Sequence, residues 1–203
     1  MLILRIKTGL LVLVMIAVSA CSSTVHIKVV DHFPDVVSEP KDIKAALVFS
    51  PEFRTYVATP NQKTTIDIGS SQVELLGKAF RGLFTQVEIV TTREQVSPDT
   101  ELVIIPSVRE VQLSTPSDSY LNVYEVWIKY NLDIETADGA AIDSWFMPAY
   151  GKTPDSMMLS RTKAITDAAT VALRDAGAKL LLDFFRIPSV YSWLERRQEP
   201  DSQ

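Results

Sequence analysis

Tyr120 to Glu135 is the clearest strand in the chain, and from Tyr124 onward apolar and polar residues alternate one for one. Tyr124, Val126, Ile128, Tyr130, Leu132 and Ile134 share one parity; Glu125, Trp127, Lys129, Asn131, Asp133 and Glu135 share the other. Only Trp127 breaks the polar set. This pattern predicts an antiparallel strand with one dry and one wet face. Asp138-Gly139 follows as a hairpin signal, with a return strand over about 141–150. From Glu101 to Leu113 the apolar parity switches near Pro106, which predicts a strand with a bulge or an open edge, because proline cannot donate to a central ladder. Ala45 to Phe49 is continuously apolar and predicts a buried first strand, stopped at Pro51. Residues 64–69 and 87–90 read as short extended pieces. Thr24 to Val30 alternates and is β-branched, as in a peripheral strand.

Two stretches have the helical period instead. Val73, Leu76, Phe80, Leu83 and Phe84 follow Ser71-Gln72-Val73-Glu74, which has the form of a capping box. A long helix is predicted over about 156–186, with Ile165, Ala169, Ala172, Ala176, Leu180 and Phe184 as its core stripe. The small residues of that stripe suit close approach to a sheet. Pro188 should end it, leaving Val190, Trp193 and Leu194 as a short docking turn. Long antiparallel strands with helices between them predict a two-layer α+β sandwich: a mostly antiparallel sheet with two main helices on one face.

The N-terminus has a different pattern. Arg5 and Lys7 precede an unbroken apolar run from Leu10 to Val18. Nine residues are too few to span a bilayer, which takes roughly 20, and fit the apolar part of a cleaved signal. The run ends in Val18-Ser19-Ala20-Cys21, which closely resembles the bacterial lipoprotein signal: an aliphatic residue, two small residues, then cysteine. The resemblance implies diacylglycerol on the Cys21 thiol, cleavage before Cys21 and acylation of the new amino group. Ser22, where an aspartate would favour retention in the inner membrane, implies the outer membrane facing the periplasm. The expected organisation is a signal over 1–20, a lipidated tether over 21–41, one globular domain over 42–196 and a polar tail over 197–203. A flexible tether of that length would hold the domain on the order of 25 Å from the bilayer.

Composition narrows the function classes. The net charge of −5 becomes two units more negative once Arg5 and Lys7 leave with the signal. That balance argues against nucleic-acid binding, which wants a basic face. Cys21 is the only cysteine, so disulfides cannot hold the fold. Nothing in the sequence sets the oligomeric state.

Candidate chemistry is sparse. His26 and His32 lie six apart and no cluster completes a metal site with them. The chain has no Gly-x-Ser-x-Gly elbow and no glycine-rich phosphate loop. Asp133 and Glu135 share a strand face that is polar throughout, as solvated carboxylates do. No catalytic residue, metal or cofactor is therefore assigned. Trp127 and Trp145 are the candidate interaction surface: Trp127 stands on the wet face, Trp145 sits on the neighbouring return strand, and aromatics are enriched at binding hot spots. The alternative is that a loop, the tether strand or the Trp193 segment covers both as satellite core.

In layout the mature chain resembles small Gram-negative envelope accessory lipoproteins of the YajG-like, lipopolysaccharide-assembly and penicillin-binding-protein-activator types. That resemblance implies a non-enzymatic accessory of an envelope assembly or transport complex, held to the membrane by its lipid and binding another envelope protein. A second reading is a carrier of a lipid or other apolar ligand, which needs an unfilled pocket near Phe80, Phe84 and Phe184. A third is a hydrolase, which needs histidines or carboxylates converging in a cleft.

Overall fold

A computed structural model of the chain describes residues 25–29, 33–35, 38–119, 121–158 and 160–198. Cys21, the signal and His32 lie outside them. The architecture is the expected α+β sandwich, built on two sheets. The larger has strand order β5-β2-β6-β7-β8, formed by β2 (Lys41–Val48), β5 (Phe84–Val90), β6 (Leu102–Ser114), β7 (Val123–Thr136) and β8 (Ala141–Pro154). The smaller has the order β1-β4-β3, formed by β1 (Val25–Lys28), β3 (Val57–Asn61) and β4 (Thr64–Asp67).

Pairing within the larger sheet is mixed. β6, β7 and β8 form the long antiparallel meander that alternation predicts. β2 runs parallel to both β5 and β6. Parallel neighbours need a crossover, and the chain supplies one between β2 and β5. It runs through helix α1 (Pro51–Arg54), the β3–β4 hairpin and helix α2 (Gly69–Leu83). The unbroken apolar run at Ala45–Phe49 fits a strand covered on both faces. The ladder irregularity in β6 falls between Val108 and Glu110, just past Pro106. Pro106 itself pairs with Leu132 where β2 no longer flanks the strand.

The capping box does not form. Helix α2 begins two residues earlier than its signature, and Ile68 at its N-cap makes no side-chain cap. Gly69 is the reason: its N–H bonds the Tyr56 carbonyl, and a Cβ there would lie 2.3 Å from the Arg54 carbonyl oxygen. Ser71, now inside the first turn and buried, donates to the Val29 carbonyl at 2.6 Å. Val29 and Ile27, in the stretch expected to be a tether, are buried in the main core. The packed body therefore starts at β1.

A short helix, α3 (Pro116–Ser119), links β6 to β7. The long helix α4 (Arg161–Asp183) starts where the Ser160 hydroxyl accepts the Lys163 N–H at 3.2 Å. Its whole expected stripe is buried. The docking turn after Pro188 is a full helix, α5 (Pro188–Gln198), with Val190 and Leu194 turned inward. α2 and α4 pack on each other and on the same sheet face, and nearly all buried apolar residues form one cluster between them. No helix among the described residues is long and apolar enough to cross a membrane.

Candidate functional site

The face of the β6–β7–β8 meander turned away from α2 and α4 carries the aromatics. Trp127 on β7 stands opposite Gln112 on β6 and Tyr150 on β8. It is 39 % exposed, and its ring lies 4.4 Å from that of Tyr150, centroid to centroid. The Tyr150 hydroxyl donates to Glu125 Oε1 at 2.5 Å. That hydrogen bond, with partial burial and the carboxylate charge, pushes the phenol up to about 12. The pair is thus a fixed amphipathic surface, apolar in the middle and tied down at its polar tip.

Further along the same face Phe146 is 47 % exposed, with the Arg109 guanidinium 5.8 Å over its ring. Arg109 Nη2 donates to Asn131 Oδ1 at 2.7 Å. Asn131 Nδ2 in turn donates to Asp133 Oδ1 at 2.8 Å and Ser144 Oγ at 2.9 Å. Asp133 is thereby held in a hydrogen-bonded row, and Glu135 is ion-paired with Arg93. The two carboxylates are separately engaged, an arrangement suited to a surface and not to proton shuttling.

Trp145 does not lie beside Trp127. It pairs with Leu132, so it points to the opposite, helix-covered face, where it meets Phe184 edge to face at 6.4 Å. A register shift between Ile134 and Glu135 sets this parity, and a one-residue slip exchanges the faces of a strand. Tyr150 and Phe146 take the place expected of Trp145. Their common parity on the return strand was the available signal.

The apolar space sought between helix and sheet is filled by rings. Phe80, Phe84 and Phe184 are all buried, with centroids 5.6–6.0 Å apart. An apolar groove of about 440 Å³ does open elsewhere, between α2 and α4, lined by Phe33, Pro34, Leu75, Ala79, Gly177 and Leu181. His26 bonds Thr65 on the outer face of the smaller sheet at 2.7 Å. Among the described residues no three His, Cys, Asp or Glu side chains gather as metal ligands would.

No protein-family model matches this sequence, and no curated protein matches it. Its fold is similar to that of a Helicobacter pylori protein named as a homolog of neuraminyllactose-binding hemagglutinin. The two are 13 % identical with a TM-score of 0.55, over 84 % of this chain and 98 % of the other. At that identity the likeness is one of fold. Fainter likenesses reach a Caulobacter crescentus protein named as a lipoprotein (15 % identity, TM-score 0.43, 74 % and 90 % covered). They also reach a minor lipoprotein of Acinetobacter baumannii (12 %, 0.46, 71 % and 92 %).

Proposed function

We propose that this chain is a bacterial lipoprotein, acylated on Cys21 and held on the periplasmic side of the outer membrane. It serves there as a non-enzymatic accessory that docks another envelope protein. The signal ending in Val18-Ser19-Ala20-Cys21 supports the anchor. One observation carries the mode of action: Trp127 and Phe146 stand exposed, with Tyr150 half-buried against Trp127, on a sheet face that neither main helix covers. Large rigid aromatics in a polar surround are what a binding hot spot uses. The test combines labelled palmitate with crosslinking of the native protein in cells. Label on the protein and a crosslinked partner lost on Trp127→Ala, at unchanged stability, is the expected result. An unlabelled protein, or the same crosslink from Trp127→Ala, removes the reading.

A second reading is favoured by the groove between α2 and α4, whose volume lies in the range of small-ligand pockets, about 300–1,000 Å³. There the protein would hold an apolar ligand between its two helices. Native mass spectrometry of protein taken gently from membranes would find that ligand, and Gly177→Leu would exclude it.

A further inference from the structure

Several loops gather at the end of the molecule at which the chain enters β1. Val25, first residue of that strand, donates its N–H to the Lys63 carbonyl in the β3–β4 turn at 2.7 Å. That turn (Asn61, Gln62, Lys63) shares a recess with Thr115 and Asp118 beyond β6 and with Arg161 at the start of α4. The start of β7 and the end of β8 meet at the same place, since Val123 pairs with Pro154 and the Asp155 N–H bonds the Asn122 carbonyl at 2.8 Å. Three loop tips and the chain's entry point therefore converge on one end. On it Met157 and Met158 are fully exposed and Leu121 is 56 % exposed. Single exposed apolar residues are common. Two consecutive fully exposed methionines with a leucine at the same end leave an apolar tip in water, beside the exposed cations Lys63 and Arg161 and the carboxylates Asp118 and Asp155.

The covalent distance to the anchor decides what meets this tip. Three residues separate Cys21 from Val25, so the four Cα-to-Cα steps between them span at most about 14 Å even fully extended. Given the acylation of Cys21 on which this inference rests, the end cannot stand farther than that from the headgroups. We infer that it is a bilayer-contact surface: Leu121, Met157 and Met158 enter the interfacial layer of the leaflet that holds the acyl chains. Unbranched methionines suit such a layer because they adapt to irregular surroundings. β7, 14 residues long, then carries the Asp138–Gly139 turn roughly 45 Å along the strand from the membrane. The Trp127 face is presented sideways, clear of the lipid.

Acylation consumes the Cys21 thiol, so a cysteine introduced elsewhere is the only site for a label. The full lipoprotein carrying Leu121→Cys, Met157→Cys or, as control, Asp138→Cys is coupled to an environment-sensitive dye. It is then reconstituted into vesicles of phosphatidylethanolamine and phosphatidylglycerol. All three positions are exposed, so the fold tolerates the change. The dye at 121 and 157 is expected to shift to the blue, and a bilayer-embedded quencher should quench it several-fold more than the dye at 138. Water-like emission at all three positions, on protein whose intact mass shows the acyl chains, overturns the inference and leaves the anchor standing. A dye at 157 that is water-like on vesicles but shielded in whole cells marks a protein contact and overturns it too. An intact mass with unmodified Cys21 removes the anchor and the inference together.

Discussion

The backbone N–H of Tyr150, on the outer edge of β8, donates to Asp175 Oδ2 of α4 at 2.9 Å. One turn on, Lys179 Nζ donates to the Pro148 carbonyl at 2.5 Å and pairs with Asp175 at 2.8 Å. Pro148 has no N–H to satisfy. A 14-residue edge strand is a template for pairing with another chain, and here helix side chains occupy part of it. Asp175→Ala is expected to cost about 1–2 kcal/mol and to let β8 accept a foreign strand. Chemical denaturation measures the first effect, and concentration-dependent light scattering the second. A variant that scatters no more light than the wild type at high concentration would show that the helix itself, not this carboxylate, shields the edge.

Close approach of α4 to the same strand rests on Gly151. A Cβ there would lie 2.1 Å from the Ala168 carbonyl oxygen and 2.3 Å from the Ala172 nitrogen, both backbone atoms that cannot rotate away. Gly151→Ala must lift the helix off the sheet, at an expected cost of about 3 kcal/mol or more. Gly77 in α2 is the contrast. Its Cβ would meet Ile89 Cδ1 at an ordinary 3.4 Å, so Gly77→Ala should gain up to about 1 kcal/mol of helix propensity. Opposite signs in denaturation midpoints are the expected outcome.

A buried polar chain ties the sheet to α1 and α2. The Tyr130 hydroxyl donates to Gln72 Oε1 at 3.1 Å, and Gln72 Nε2 donates to the Phe53 carbonyl at 2.6 Å. Both side chains are fully buried, and burial raises the Tyr130 phenol far above its usual range, so it stays a donor. Tyr130→Phe leaves one acceptor dry and unpaired, at about 1–3 kcal/mol. Gln72→Met strips both partners and should cost more. The double variant is expected to lose less than the two together, because they share one bond. Strict additivity would mean that the chain contributes nothing as a unit.

Where an element's pattern is long and periodic, the fold was legible from it. The parity of Tyr124 to Ile134 and the stripe from Ile165 to Phe184 set their buried faces residue by residue. Parallel placement of β2 was not legible, because a buried apolar run does not say which way its neighbours run. The start of α2 was not legible, because Gly69 and its contact with the Arg54–Tyr56 backbone lie outside any helix signature. In the candidate surface, Trp127 was legible from strand parity alone. The face of Trp145 was not legible, because hairpin register, not composition, decides it. The convergence of Leu121 and Met157 is a product of topology, which no local pattern carries.

The Tyr150–Glu125 hydrogen bond beside Trp127 makes the aromatic face sensitive to alkali. Ionising the phenol would remove the donor and set an anion against the Glu125 carboxylate, so its folded-state value rises from the usual 10.0 to about 12. Below about pH 10 the phenol is protonated in both the folded and the unfolded chain, and the bond's contribution to stability is fully present. Between about 10 and 12 the unfolded chain has released a proton that the folded one retains, so stability falls as pH rises. Glu125→Gln keeps an acceptor without the charge and should return the titration toward 10, flattening that stretch of the stability curve. Tyrosinate absorbance of the wild type against Tyr150→Phe isolates the group, and denaturation at each pH follows the stability. Trp127 fluorescence should change over the same range, its ring being 4.4 Å away. If Glu125→Gln leaves the titration where it was, the carboxylate is not what holds Tyr150 against Trp127.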